Sequence, residues 1–225
     1  MVDLQEWTRT RALCVRNPSR RKPDMETEHN KADKIERQLQ QDNHKIWGWV
    51  IHRCTYSSDT AWAEIMSRLE SHIRESSRLH NGLDMMESLD YHVFEDRAVF
   101  DSASPVTVRE HFRQWVQVAP QHEQGAPGMR SQRYSFCVHV DEEALQSIIS
   151  GPDPPADALG AGYVNLVCLN ILGGVRTEFE TENTGLDRCW MRVSYQDLMP
   201  AWYILFRTQG MWFTEYRQPP QIASP

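Results

Sequence analysis

Residues 46–56, IWGWVIHRCTY, form the stretch that decides the fold, because apolar side chains fill much of both alternating sets of positions. A strand of this kind is typical of the middle of a sheet, where both faces are covered. Gly48 stands between two tryptophans, and a glycine within a strand often marks a close approach of another backbone. We therefore expect a buried central strand at the start of the compact part of the chain.

An amphipathic helix is predicted directly after this strand. Ser57, Ser58 and Asp59 are residue types that favour the N-cap position. Asn81 and Gly82 supply the signal that ends the helix. Between these limits, apolar side chains recur at the spacing i, i+3, i+4, i+7 and i+11, which places them on one helical face: Trp62, Ile65, Met66, Leu69 and Ile73.

Strands and helices alternate along the rest of the chain. Helices are predicted after the cap residues Ser104, Asp141 and Ser194, each followed by an apolar stripe. The irregular connections favour an α+β domain with a mixed or mostly antiparallel sheet and helices packed on one face. An elaborated ferredoxin-like arrangement is the topology we expect. Further strands are predicted at residues 91–100, 134–140, 163–172, 189–193 and 212–216.

The N-terminal part of the chain differs from the rest in composition. It begins with an irregular basic segment, and residues 25–44 are helix formers with only Ile35 and Leu39 as an apolar stripe. We expect residues 1–45 to form a polar leader with an exposed helix, and residues 46–225 to form a single α+β domain. A mitochondrial presequence is an alternative for the leader, but acidic residues and a poor apolar stripe argue against it.

The overall composition disfavours some partners and locations. The 225 residues carry a formal net charge of −7, whereas non-specific nucleic-acid binding requires a basic surface, so no nucleic-acid partner is expected. No apolar run reaches the ~18 residues that span a bilayer, and the N-terminus lacks the apolar core of a signal peptide. We therefore expect a soluble cytoplasmic protein without a membrane partner.

The cysteines of the chain are widely spaced and contain no C-x-x-C pair. This pattern, with an odd number of cysteines, favours reduced and buried thiols rather than a disulfide framework. The five cysteines are Cys14, Cys54, Cys137, Cys168 and Cys189.

Histidines on the inner strands are the candidates for acid–base chemistry. His52 lies on the first strand and His139 on the strand at 134–140, and we expect these strands to lie side by side in the middle of the sheet. Acid–base catalysis without a cofactor requires such side chains to face a pocket. We predict His52, His139, His92 and Asp141 as the catalytic residues, with Tyr134 as a further candidate. A simpler interpretation makes Asp141 a helix N-cap and His139 a hydrogen-bonded core histidine.

Two alternatives use the cysteines beside these histidines. Residues two apart on a strand share a face, so each strand presents one histidine and one cysteine on the same side. If the two strands are neighbours, a tetrahedral zinc site could form from His52, Cys54, Cys137 and His139. A thiol nucleophile paired with a histidine is the second alternative, although burial in a strand raises the pKa of a thiol and makes it inert. The sequence contains no P-loop, serine-hydrolase, zincin or Rossmann motif, so no cofactor is expected.

Several segments together resemble an uncharacterised family of proteins from filamentous fungi. The shared features are an aromatic-Gly-Trp strand, an F-x-x-W-V helix and a C-x-x-V-D-E-E-x-L strand–helix junction. No activity is assigned to that family, so the resemblance supplies no catalytic residue. It implies a fungal origin and a context in secondary metabolite biosynthesis. The segments are GWVIHRCTYSSDTAW at 48–62, VREHFRQWV at 108–116, RYSFCVHVDEEAL at 133–145, GYVNLV at 162–167, CWMRV at 189–193 and FTEYRQPP at 213–220.

Two functional hypotheses follow from these observations. The first is a cofactor-independent protein, isomerase-like or cyclase-like or a carrier, that acts on or binds a small organic metabolite in a pocket edged by the histidines. Its aromatic side chains would wall that pocket. The second is a non-catalytic protein-interaction or regulatory module, in which the aromatic residues are core. An enclosed cavity of at least ~300 Å³ that touches two of His52, His92 and His139 would favour the first hypothesis, and a solid core with a large exposed apolar patch would favour the second.

Overall fold

A six-stranded mixed sheet organises the part of the chain that the computed structural model describes, which is residues 17–128, 131–153, 156, 162–169, 188–208 and 210–225. The order across the sheet is β2-β1-β3-β4-β5-β6. The strands are β1 at Ile51–Arg53, β2 at Val93–Phe94, β3 at Phe136–Val140, β4 at Tyr163–Cys168, β5 at Trp190–Ser194 and β6 at Ile222–Ala223.

Both parallel and antiparallel pairs occur in this sheet. β1 pairs in parallel with β2 and β3, β5 pairs in parallel with β6, and β4 is antiparallel to β3 and β5. The expected α+β class with a mixed sheet is therefore confirmed, whereas the ferredoxin-like elaboration stays a prediction. The side-by-side placement of the first two strong strands is also confirmed, since Ile51 lies opposite Val138 and His52 opposite His139.

The helices connect these strands, and the longer α-helices begin at side-chain caps. The predicted cap Ser194 instead ends β5, and the helical turn after it has no side-chain cap. Ser58, Ser104 and Asp141 each accept a hydrogen bond from a backbone N–H in the first turn of the following helix, as their residue types predict. Short 3-10 helices lie at Leu83–Ser88 and Gln132–Tyr134, and a π-helical turn at Leu198–Trp202. The α-helices are α1 at Lys31–Asp42, α2 at Asp59–Leu79, α3 at Arg97–Phe100, α4 at Pro105–Trp115, α5 at Ala119–Gln124, α6 at Glu142–Ile149, α7 at Tyr203–Leu205 and α8 at Met211–Glu215.

Helices cover both faces of the sheet, which corrects the expectation that they pack on one face. On one face, α2 and α6 bury Leu69 and Leu145 against Val138. On the other face, α4 buries Phe112 against Cys137. The reason is already present in the sequence of β4, where Val164 and Leu166 alternate with Val167, so apolar side chains on both sides of the sheet require cover from water.

Of the predicted strands, the one at 212–216 is wrong and the one at 91–100 is wrong in part. Residues 212–216 form most of helix α8 instead of an edge strand, and Trp212 contacts Tyr216 one turn later, with the ring centroids 6.0 Å apart. Of residues 91–100 only β2 is a strand, because Asp96 accepts a hydrogen bond from the backbone of Ala98 and starts α3. Aromatic side chains favour strands on average, but packing against the core decides their conformation here.

Helix α1 confirms the helical prediction for residues 25–44 but is not an exposed arm. Its Ile35 is 2% exposed and belongs to the main core. Arg21, before the helix, binds Asp33 and Asp84 through its guanidinium, at 2.6 Å in each case. The domain boundary near residue 45 stays a prediction. Residues 1–16, with the expected leader and Cys14, and the predicted strand end at 170–172 lie outside the described residues.

None of the helices in the described part of the chain combines the length and the apolar character that a transmembrane span requires.

Candidate functional site

A cleft of about 660 Å³ opens at the carboxyl ends of the parallel strands β1 and β3. Its lining comes from residues 54–57 after β1, residues 101–105 before and at the start of α4, Arg97 on α3, and His139 with residues 141–143 at the end of β3. In sheets with parallel strands, ligands commonly bind outside the carboxyl ends, where loops from several strands converge. The cleft is thus the candidate functional site.

The end of β3 places two of the predicted residues in this cleft. Asp141 follows the strand with an extended backbone, so its side chain lies on the same side of the sheet as that of His139, two residues earlier. Asp141 Oδ1 accepts the backbone N–H of Ala144 at 2.8 Å and caps α6. The predicted capping role is confirmed, and it orients the carboxylate at the mouth of the cleft.

His139 is 1% exposed and both of its ring nitrogens are engaged. Its Nε2 donates to the carbonyl oxygen of Ala103 at 2.8 Å, because a carbonyl can only accept. Its Nδ1 then accepts from Nδ2 of Asn165 at 3.0 Å. Burial lowers the pKa of His139, against the opposing effects of the Ala103 carbonyl and of Asp141. The ring is therefore neutral and held in place.

Asp141 is the more accessible member of this pair. Its Oδ2 accepts from Nδ2 of Asn165 at 2.9 Å, and the side chain remains 37% exposed. A partly exposed carboxylate at the edge of a cleft can accept a proton or a hydrogen bond from a bound molecule.

The other charged groups of the lining are already paired. Glu142 accepts hydrogen bonds from Ser57 and Thr55, which hold the pKa of its carboxyl below the usual value. Glu143 lies 2.7 Å from Nη2 of Arg192. Asp101 lies 3.3 Å from Nε of Arg97. The lining holds four carboxylates and one guanidinium, those of Asp101, Asp141, Glu142, Glu143 and Arg97, so its charge is net negative.

Cys54 lines the cleft but lacks the properties of a nucleophile. It is 2% exposed, and burial, with a smaller effect from Asp141, raises its pKa to about 12. Burial also raises the pKa of Cys137 well above the usual value. Reactive cysteines require a lowered pKa and access to solvent, so the geometry disfavours the thiol alternative. Cys54, Cys137, Cys168 and Cys189 are buried, as the sequence predicts for them.

The zinc alternative receives no support from the described part of the chain. His52, Cys54, Cys137 and His139 lie on neighbouring strands, yet no group of three or more histidine, cysteine or acidic side chains in the described ranges has an arrangement that could hold a metal ion.

His52 and His92 do not line the cleft. His52 is fully buried, stacks on Phe94 with ring centroids 4.9 Å apart, and has its Nε2 3.1 Å from Nδ1 of His111. Burial, with a smaller effect from His111, lowers the pKa of His52 to about 3. His92 is exposed, and its ring packs edge-on against Phe94. The structure thus brings His139 and Asp141 together and places His52 and His92 in and beside a separate aromatic cluster. The cleft therefore touches one of the three predicted histidines, and not the two that were expected to favour the small-molecule hypothesis.

Neither Tyr134 nor the fully buried tryptophans line the cleft. Tyr134 is buried and its hydroxyl donates to Glu123 at 2.7 Å, away from the cleft lining. The fully buried tryptophans belong to the main core and do not line the cleft: Trp47, Trp49, Trp202 and Trp212.

Asn165 is the site residue that sequence reasoning missed. It lies on β4 opposite His139 and is 1% exposed. The available signal was an amide within the otherwise apolar run YVNLVC, since a buried amide requires hydrogen-bond partners. The hydroxyls of Ser102 and Ser104 were also missed, because they belong to a loop that only the tertiary fold brings to the cleft.

Compared with protein-family models, with curated proteins and with solved structures, the chain matches none of them.

Proposed function

We propose that the chain binds and acts on a small organic molecule in this cleft, without a cofactor, and that Asp141 is the acid–base group. The observation that carries the proposal is a cleft of about 660 Å³ with a partly exposed, oriented carboxylate at its edge. This volume falls within the roughly 300–1,000 Å³ that small-molecule sites occupy. The reaction we propose is isomerase-like or cyclase-like, and the resemblance to fungal proteins suggests secondary metabolism as its context.

The charge of the lining indicates which molecules the cleft would accept. With four carboxylates and one guanidinium, the lining repels anions and attracts cations or neutral molecules rich in hydrogen-bond donors. The carboxylates of Glu142 and Glu143 already accept hydrogen bonds from protein groups. Asp141 also accepts two hydrogen bonds, but both come from uncharged groups, the backbone N–H of Ala144 and the amide of Asn165, so these contacts leave its negative charge available to an ammonium or hydroxyl group of the ligand.

The chemistry proposed for Asp141 is a proton transfer within the bound molecule. The carboxylate would take a proton from one atom of the ligand and return it to another, which leaves the composition of the ligand unchanged, as in an isomerisation. His139 would contribute as a fixed neutral neighbour, because both of its nitrogens are engaged. His52 and His92 stay predictions as catalytic residues, although neither lines the cleft.

One observation favours the second hypothesis, a non-catalytic interaction module. Val99 and Val106 are 52% and 45% exposed, and each lies close in sequence to a residue that lines the cleft, Arg97 and Pro105. Exposed apolar side chains beside an acidic cleft would suit a protein segment that carries both apolar and basic residues.

A fragment screen monitored by NMR of the isotope-labelled protein tests the proposal. Three fragment sets of similar size would be compared: amines, neutral polyols and carboxylates. We expect amines or polyols to shift the amide signals of Ser102, Ser104 and Asp141, and carboxylates to leave them unchanged. Asp141→Asn should abolish these shifts, whereas Asp24→Asn, an exposed aspartate outside the cleft, should preserve them.

The outcomes of this screen separate the two hypotheses. Amine or polyol binding that survives Asp141→Asn, or a preference for carboxylates, contradicts the role given to Asp141. An absence of cleft binders from all three sets contradicts the small-molecule function and leaves the interaction module. Metabolite profiles of a deletion strain and its parent, compared while the gene is expressed, then test the biosynthetic context.

A further inference from the structure

Asn165 bridges the two predicted residues of the cleft. Its Nδ2 donates to His139 Nδ1 at 3.0 Å and to Asp141 Oδ2 at 2.9 Å. The two acceptor atoms lie 3.8 Å apart, which is beyond hydrogen-bond distance, so the amide links two groups that would have to move closer to share a proton.

The chemistry of the partners determines which atoms carry hydrogens. Ala103 O accepts from His139 Nε2, so a neutral imidazole has no hydrogen on Nδ1. A carboxylate oxygen is also an acceptor. His139 Nδ1 and Asp141 Oδ2 are therefore both acceptors, and each requires a hydrogen from Asn165. The amide nitrogen Nδ2 carries two hydrogens and the amide oxygen Oδ1 carries none, so Nδ2 is the atom that faces them.

The same orientation leaves one polar atom without a partner. Asn165 Oδ1 is buried and, among the described residues, no group donates a hydrogen bond to it. Unsatisfied buried acceptors are rare because they are costly, and those that persist often belong to functional sites. The orientation of the amide therefore satisfies the acceptors of His139 and Asp141 and leaves its own oxygen without a hydrogen bond from the described residues.

From this geometry we propose that Asn165 is a positioning residue, which keeps His139 neutral and leaves Asp141 free to receive the ligand. The inference rests on the proposed function of the cleft. Without the amide, a proton would bridge the ring and the carboxylate, and the resulting ion pair would neutralise the group that is proposed to bind. Asn165 thus acts through Asp141 and has no contact with the ligand itself.

The other titratable groups near His139 do not replace this role. His52, on the neighbouring strand β1, interacts electrostatically with His139, and a protonated His52 would oppose a charge there. Asp101 lines the same cleft and is paired with Arg97. Asp141 is the carboxylate whose oxygen lies within 4 Å of His139 Nδ1, the ring nitrogen to which Asn165 donates.

NMR of the histidine side-chain nitrogens tests the proposal on the full chain and needs no ligand. In the wild type, Nδ1 of His139 should carry no hydrogen at neutral pH. Asn165→Asp should place a hydrogen on Nδ1 at neutral pH, because the ring then lies between two carboxylates. Asn165→Leu, which removes the donor and adds no charge, should move the titration of His139 upward by about one pH unit or more.

Ser135→Ala is the matched control, because it also removes a buried side-chain hydrogen bond next to β3, from Ser135 Oγ to Ser131 O. It should leave the titration of His139 unchanged. A hydrogen on Nδ1 of the wild type at neutral pH would overturn the proposal even if neither variant folds. An unchanged titration in both variants would overturn it as well. Failure of the fragment screen contradicts the proposed function alone, since these spectra are recorded without a ligand.

Discussion

Acid should destabilise the protein through His52, and the size of this effect follows from its burial. The ring is fully buried among aromatic side chains, and its pKa is lowered from 6.5 to about 3 in the folded state. The unfolded chain therefore binds a proton that the folded protein excludes. The stability that depends on the neutral ring is complete above pH 6.5 and is lost progressively as the pH falls toward about 3.

The expected magnitude between about pH 7.5 and pH 5 is about 2 kcal/mol. At each pH, the contribution is RT times the natural logarithm of one plus the ratio of protonated to neutral histidine in the unfolded chain. The expected magnitude is the difference between the values at the two pH values. Because pH 5 lies well above the folded pKa of about 3, the result depends on the ordinary pKa of 6.5 and very little on the folded one.

Urea unfolding at the two pH values measures this contribution. The wild type would be compared with His52→Gln, which cannot take up a proton and retains a side-chain donor toward His111. The loss of stability on acidification should be smaller in this variant by about 2 kcal/mol. His29→Gln, the same substitution at a side chain that is 73% exposed, should behave like the wild type. Equal losses in the wild type and in His52→Gln would refute the burial of His52 as a neutral ring.

Two further predictions concern stability alone. Arg133 is fully buried and donates to Glu123 and to the carbonyls of Gly48 and Asp90. Arg133→Met should therefore lower the free energy of unfolding, measured with urea, by about 3–5 kcal/mol. Adding Glu123→Gln to that variant should recover part of the loss, because it removes the unpaired carboxylate. Gly48 has φ +106°, and a Cβ there would lie 2.8 Å from the Asp90 carbonyl, so Gly48→Ala should lower the melting temperature clearly, whereas Gly210→Ala, with open space around it, should not. An unchanged free energy of unfolding in Arg133→Met would contradict the buried contacts of Arg133. Equal changes in melting temperature for the two glycine variants would contradict the close approach at Gly48.

The central strands could be predicted from the sequence because their signal is local. Residues 46–56 and 134–140 are apolar at alternating positions, and both strands lie in the middle of the sheet as expected. The caps at Ser58 and Asp141 depend only on the residue type and on the stripe that follows. The close approach expected at Gly48 is also present, against the backbone of Asp90.

The cleft could be predicted only in part, because most of its contacts join distant segments. Asp141 was found through its place after a strand, but Ala103 and Asn165 meet His139 from segments 36 and 26 residues away. His52 was selected for its strand, yet whether a ring on a sheet face meets a pocket or a helix is decided by the packing of α4. Helix α8 was missed because aromatic residues have the same local preference for strands whether or not they are buried by a helix.

A crystal structure of the protein with the tightest-binding amine or polyol fragment tests the central claim most directly. The account predicts electron density for the fragment in the cleft at the carboxyl ends of β1 and β3, with a donor atom within hydrogen-bond distance of the Asp141 carboxylate and Asn165 still bridging Asp141 and His139. Density at any other surface, or in the cleft without contact to Asp141, would contradict it.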